Sequence, residues 1–276
     1  MDTRPPDFDP AIAAFYSQAP EESRLEQGAF LLEALRTREL IQRFAPAAPA
    51  VVLDIGGAAG AYALWLAETG YTVHLVDAVP RLVEEARRRS AASSRPLASS
   101  SVGDARRVTF GDASADVVLL LGPLYHLTDA RDRARALTEA ARVLKPGGRL
   151  FAAAISRWAS LLDGLTRDLL RDERFAAIVE DDLRDGQHRN STGRLDYFTT
   201  AYFHVPDDLR AEVLDSGLAV DGLFGIEGPG WLLPDIDARL GDSRRRADLL
   251  RVARVCESEP SMIGVSPHLL VVGRKP

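Results

Sequence analysis

The middle of this chain reads as short apolar runs separated by stretches in which apolar residues recur every three or four positions. VVLDI (51–55), TVHLV (72–76), LASSSV (97–102), DVVLLL (116–121) and RLFAAAI (149–155) are predicted strands. The segments 62–68, 81–89 and 131–143 between them are rich in Ala, Arg, Leu and Glu, residues that cost little in a helix. Largely apolar strands separated by helices need covering on both faces. The pattern therefore predicts an α/β fold: a doubly wound, mostly parallel sheet with helices on either side.

Upstream, Leu31, Leu32, Leu35, Leu40, Ile41 and Phe44 fall at helical spacing, predicting two or three helices over 12–44 that Pro46 and Pro49 bring to an end. KPGG (145–148) reads as a helix stop and turn ahead of the fifth strand. Downstream, 158–185 has a helical pattern and a further helix starts near Asp207, while LAVDGLFGI (218–226) and HLLVVGR (268–274) are predicted as an antiparallel closing pair. The expected organisation is a helical lid over 1–49 and one domain over 50–276. An insertion at about 157–205 is expected above the carboxyl ends of the strands, where open α/β sheets bind ligands.

Composition narrows the function. The 276 residues are 46% hydrophobic, enough for an ordinary core, and the formal net charge is -6 with Arg dispersed among Asp and Glu, which speaks against a nucleic-acid partner. Cys256 is the single cysteine, which rules out a disulfide framework or a cysteine zinc site and fits a reducing cytoplasm. No apolar stretch reaches the roughly 18 residues of a membrane span, and MDTRPPDFDP lacks the basic-then-apolar pattern of a signal peptide. A cytoplasmic monomer or homodimer away from the membrane is expected.

The candidate chemistry begins at VVLDIGGAAGAYALWLAETGYTVHLVD (51–77). Gly56, Gly57 and Gly60 follow the first strand, where absent side chains let a ligand approach the backbone. Asp77 ends the second strand about twenty residues on, where a carboxylate can accept both hydroxyls of a ribose. An adenosine-type cofactor follows from that pair. Asp54, just ahead of the glycines, would repel a pyrophosphate and suits a sulfonium or ammonium, so charge favours S-adenosylmethionine over a nicotinamide dinucleotide. Each feature also has a plainer reading. The glycines can serve a turn alone, Asp77 can cap the helix PRLVEEA, and Asp104 can be an ordinary loop acid.

These motifs, with SVGDARRV, ADVVLLLGPLYHL and EAARVLKPGGRLFAAAI, resemble the class I S-adenosylmethionine-dependent methyltransferases over Val51 to about Ile155. The resemblance implies a Rossmann-like fold, S-adenosylmethionine as cofactor, S-adenosylhomocysteine as product and no metal. It implies that Gly56, Gly57 and Gly60 wrap the methionine part and that Asp54 supports the loop. It further implies Asp77 on the ribose, Ala78, Asp104 and Ala105 around the adenine, and Leu121 and Gly122 near the sulfonium. Ala58 departs from the family, which commonly has glycine there. In similar enzymes an amino-terminal helix covers the cofactor, which places Tyr16 there and Arg24 on the methionine carboxylate, the alternative being a surface Arg among Glu21, Glu22 and Glu26.

The loop GPLYHL brings Tyr125 and His126 to the transferable methyl, making His126 a candidate general base; the alternative is that both residues pack and orient the loop. His188, Arg189, Tyr197 and His204 of the insertion, with Trp231 of EGPGW, are candidates for a small-molecule acceptor pocket. YFTTAYF can equally be one buried strand face, Trp231 can plug the core, and His268 reads as structural. A small-molecule methyltransferase acting on oxygen or nitrogen is the expected function. The alternatives are a cyclase-type user of the same cofactor, a non-catalytic cofactor-binding subunit and a nicotinamide-dependent dehydrogenase.

Overall fold

The computed structural model describes residues 9–18 and 21–276. The remainder of the expected lid, 1–8 and 19–20, lies outside the described residues. The elements are α1 (Pro10–Gln18), α2 (Gly28–Phe44), β1 (Val51–Ile55), α3 (Ala61–Glu68), β2 (Thr72–Asp77), α4 (Pro80–Ala92), β3 (Ser99–Val102), β4 (Ala115–Leu120), α5 (Pro123–His126), α6 (Ala130–Val143), β5 (Leu144–Ser156), α7 (Ala159–Thr166) and α8 (Glu173–Asp185). They continue with β6 (Gln187–His188), β7 (Ala201–His204), α9 (Pro206–Asp215), β8 (Ala219–Gly225), α10 (Ile236–Gly241), α11 (Ser243–Cys256) and β9 (His268–Arg274).

The main sheet runs β3-β2-β1-β4-β5-β9-β8, parallel from β3 to β5, with β9 the one reversed strand, antiparallel to both β5 and β8. Period-two alternation sends Val118 and Leu120 of β4 into a core with α6 and α9, and Val117 and Leu119 into a second core with α2, α3 and α4. The chain moves outward from β1 through β2 to β3, then returns to place β4 on the other flank of β1. The loops leaving β1 and β4 therefore meet at the topological switch point, where the crevice of a doubly wound sheet opens.

Two features differ from the sequence expectation. β5 begins at Leu144, not Arg149: KPGG stays in the strand as an irregular start with a register shift opposite Ala115 and Val117. β5 also outruns β4. Ile155 and Ser156 pair with Phe203 and His204 of β7 on one edge, while Ile155 meets His268 of β9 on the other. The segment 157–205 is thereby pinned at the carboxyl end of the sheet, with its own small core of Phe175, Ile178, Val179 and Tyr197. A second excursion between β8 and β9 carries α10 and α11, whose Ile236, Leu240 and Leu249 pack on Leu32 of α2.

Candidate active site

The turn after β1 is shaped by close approach. Gly56 has φ +76, and a Cβ there would lie 2.5 Å from the ring of Pro123, while a Cβ on Gly57 would fall 2.7 Å from Asp54 Oδ2. Ala58 adopts φ +46, a left-handed conformation that costs a side-chain-bearing residue about 1 kcal/mol. It is held there because Asp77 Oδ2 accepts the Ala58 N–H at 2.8 Å, while Asp77 Oδ1 accepts that of Val79 at 2.8 Å. Replacing Ala58 with glycine is expected to raise the unfolding free energy by roughly 0.5–1 kcal/mol in urea titration, the relief of strain exceeding the added chain entropy. An unchanged or lower value would mean that the turn is not strained.

Asp54 is 1% exposed and its Oδ2 has no partner among the described residues. Burial, and then repulsion from Asp77, lifts its carboxyl to about 7. Burial likewise raises Asp77 to about 6, against the two amide bonds it accepts. Neither acid has an ion-pair partner among the described residues. The pocket is thus short of positive charge.

Two cavities open at this edge. The smaller, about 300 Å³, is lined by Asp54, Gly56, Gly57, Ala58, Asp77, Ala78, Asp104, Ala105, Leu121 and Gly122, among others. Gly60 does not line it; with φ +84 it starts α3 behind the loop, so its part is conformational. Asp104 is clamped by Arg106, whose Nη2 donates to Oδ2 at 2.6 Å and whose Nη1 reaches Asp132 at 2.7 Å. Burial opposes the ionised form of Asp104, but Arg106 prevails and holds the carboxyl below its ordinary range. The larger cavity, about 920 Å³, has walls that include Phe15, Phe30, Phe198, Phe203 and Trp231. Tyr16, Glu21, Arg24 and Tyr125 line both cavities and form the partition between them.

Within the partition, Arg24 Nη1 donates to Glu33 at 2.8 Å and Nε to Glu21 at 3.2 Å. It is an internal cation between these two acids, not a surface Arg among Glu22 and Glu26. Tyr16 Oη and His126 Nε2 are 2.7 Å apart, and His126 Nδ1 lies 3.2 Å from the Thr200 carbonyl. A carbonyl only accepts, so Nδ1 carries the proton and Tyr16 donates to Nε2. Burial drives His126 down to about 4, outweighing the Thr200 carbonyl and Asp9. Both ring nitrogens are engaged and the ring is neutral at physiological pH.

Residues 53–152 match the family described as a methyltransferase domain. An uncharacterized methyltransferase of Mycobacterium tuberculosis is 37% identical over 41% of this chain and 42% of its own length. A ubiquinone/menaquinone biosynthesis C-methyltransferase of Acidiphilium cryptum is 31% identical over 56% of this chain and 60% of its own. A solved S-adenosylmethionine-dependent methyltransferase of Methanosarcina mazei shares the fold with a TM-score of 0.59 and 18% identity, covering 86% of this chain and 96% of that one. Residues 53–152 thus carry a methyltransferase domain, and the fold is shared with S-adenosylmethionine-dependent methyltransferases. The chain spans about half the length of these two curated relatives.

The predicted acceptor residues do not converge. His188 is 1% exposed and sealed between Asp182 at 2.9 Å, the Tyr197 carbonyl at 2.8 Å and the stacked ring of Phe203. Tyr197 is buried against Phe175 with its hydroxyl on Asp172 at 2.8 Å. His204 is fully buried with Nε2 3.2 Å from Glu212, and Arg189 is exposed and donates to Gln187. None of the four lines either cavity. β6 turns His188 onto Asp182 of α8 and β7 turns His204 onto Glu212 of α9, while Tyr197 packs on Phe175 of α8, so three of the four hold the insertion together away from the crevice. Trp231 does line the larger cavity, anchored by an indole N–H donated to Val265 at 2.9 Å.

Sequence reasoning missed Phe198, whose φ of +66 with ψ of -161 is a glycine-type conformation, held here at the wall of the larger cavity. It read His268 as structural and passed over Glu33 and Glu227, which meet it at this edge. One signal was present: Glu33 shares the apolar stripe of α2 with Arg36 and Leu40, and an acid on a core stripe calls for a buried partner.

Proposed function

We propose that this protein is a methyltransferase that binds S-adenosylmethionine in the smaller cavity and transfers its methyl group to an oxygen or nitrogen of a small molecule in the larger one, releasing S-adenosylhomocysteine. The supporting observation is the partition. A cavity lined by the glycine turn and two uncompensated acids meets an aromatic cavity across Tyr16, Glu21, Arg24 and Tyr125. Methyl transfer is an in-line displacement, and such a junction holds the two reactants facing each other.

In this reading the backbone at Gly56 and Gly57 receives the methionine part, and the charge of Asp54 favours the cationic cofactor. Asp77 takes the ribose: each of its oxygens accepts one amide and keeps a second lone pair for a hydroxyl. Ala78, Asp104 and Ala105 flank the adenine, and Leu121 and Gly122 face the sulfonium. Tyr16 covers the cofactor and fixes His126, which with Tyr125 shapes the partition and does not take the proton. Arg24 reaches the methionine carboxylate by exchanging one of its present glutamate partners for it. Among the described residues no helix is long and apolar enough to cross a membrane, and the reading needs no nucleic acid.

Calorimetric titration with S-adenosylhomocysteine and with NADH tests the cofactor. Binding of the former only is expected, and Asp77→Asn should weaken it about tenfold or more, the scale of a lost charge-assisted hydrogen bond. Preference for NADH would overturn the reading. Methylation at carbon is the second reading, favoured by the quinone C-methyltransferase relative. Locating the label transferred from methyl-tritiated cofactor in the product decides between them.

A further inference from the structure

Beside the partition, on the side of the larger cavity, stands a histidine that takes no part in the proposed cofactor site. His268 opens β9 and lines the cavity, and its Nδ1 lies 2.5 Å from Glu227 Oε1. Glu227, 1% exposed, is itself built in: Ser266 Oγ donates to its Oε2 at 2.6 Å, and the backbone N–H of His268 donates to the same oxygen at 3.3 Å. Glu33 Oε2 is 3.8 Å from His268 Nδ1, and Glu33 lines the cofactor cavity and bonds Arg24 of the partition. The pair therefore sits at the junction of the two cavities. Glu227 accepts the Nδ1 proton, which leaves the Nε2 lone pair, without a protein partner among the described residues, on the only ring nitrogen able to face the cavity.

We infer that His268, oriented by Glu227, is the proton acceptor for a hydroxyl group of the acceptor, which makes the acceptor a hydroxylated, largely apolar ring compound and the reaction an O-methylation. This deepens the methyltransferase reading and rests on it. In the step, a lone pair of the hydroxyl oxygen forms the new bond to the methyl carbon as the carbon–sulfur bond breaks and its electrons return to sulfur. The hydroxyl proton passes to His268 Nε2, and the imidazolium, facing Glu227 and Glu33, later releases it to water.

The charged groups around the ring set its basicity. Burial pushes the imidazole down, but Glu33 and then Glu227 outweigh it and raise His268 above its ordinary range, with Arg24 opposing. His126, depressed to about 4, is the weaker base of the two. Ligand atoms of Glu33, Glu227 and His268 lie within 4.8 Å of one another, close enough for a shared cation. Arg24 already bonds Glu33 and His268 bonds Glu227, however, so both carboxylates are compensated from within the chain.

The test uses the full chain saturated with S-adenosylhomocysteine and titrates 2-naphthol against naphthalene by calorimetry across pH. Wild type should prefer 2-naphthol by about tenfold, the worth of one hydrogen bond to a polar side chain, with the preference fading as acid protonates His268. His268→Phe should abolish the preference while leaving S-adenosylhomocysteine affinity within about twofold. Should His268→Phe fail to fold, Glu227→Gln serves: removing its charge should move the midpoint of the pH dependence to lower pH. Absence of the preference in wild type, its survival in His268→Phe, or an unmoved midpoint in Glu227→Gln overturns the inference. Failure of wild type to bind S-adenosylhomocysteine would instead overturn the underlying methyltransferase reading.

Discussion

Asp54→Asn is expected to stabilise the cofactor-free protein at pH 8 by up to about 4 kcal/mol and to weaken S-adenosylhomocysteine binding at least about tenfold. The sign follows from where the proton resides. The Asp54 carboxyl has an ordinary value of 3.8 and is lifted to about 7 in the folded chain by burial and by Asp77. Between these values the folded state holds a proton that the unfolded state has released, so stability falls as pH rises from about 4 to about 7 and the loss is complete above that. A neutral amide removes the loss at pH 8 and changes little near pH 4. Thermal unfolding of both proteins at the two pH values measures the difference, and a destabilised variant at pH 8 would contradict the burial argument. The accompanying fall in affinity would show that the uncompensated charge serves the ligand at a cost to the fold.

Arg36→Ala should cost about 3–5 kcal/mol, the usual loss when one partner of a buried ion pair is removed and the other is stranded. Arg36 is fully buried on α2 and binds Glu39 at 2.5 Å, Glu257 just after α11, and the Ile226 carbonyl at 3.4 Å. Glu257 also accepts from Arg43 at 2.5 Å. Arg36 thus ties three segments together within one turn of Glu33 and one residue of Glu227, both beside His268. Arg36→Lys should recover little, since one ammonium cannot span partners that a planar guanidinium reaches together. Urea titration measures the loss, and a value below about 1 kcal/mol would mean that water reaches Glu257 and Glu39.

Much of the scaffold was legible because its signals are local. Period-two and continuous apolar runs placed β1, β2, β4 and β9, and the Ala-, Arg- and Glu-rich segments placed α3, α4 and α6. The spacing of the glycine turn from Asp77 brought both to one sheet edge, and the twelve residues Tyr16, Arg24, Asp54, Gly56, Gly57, Ala58, Asp77, Ala78, Asp104, Ala105, Leu121 and Gly122 line one cavity. What failed was side-chain direction in the insertion. His188, Tyr197 and His204 have the composition of a pocket, yet a two-residue strand, a three-residue turn and a four-residue strand carry too little period to say which face is buried. KPGG misled for a related reason: a glycine turn and a bulged strand start look alike until the partner strand is present.

The sequence by itself determined the doubly wound sheet, the crevice at its switch point and the excess of acid around the glycine turn, since each follows from short-range pattern and from charges within about twenty-five residues of one another. Only the tertiary structure decided which ionisable groups matter beyond that turn. Glu33, Glu227 and His268 come from α2, the end of β8 and the start of β9, and only pairing β9 between β5 and β8 sets them together. The same packing tied both ring nitrogens of His126 to Tyr16 and Thr200 and only Nδ1 of His268 to Glu227, because burial and hydrogen-bond partners belong to the fold and not to any one segment of the chain.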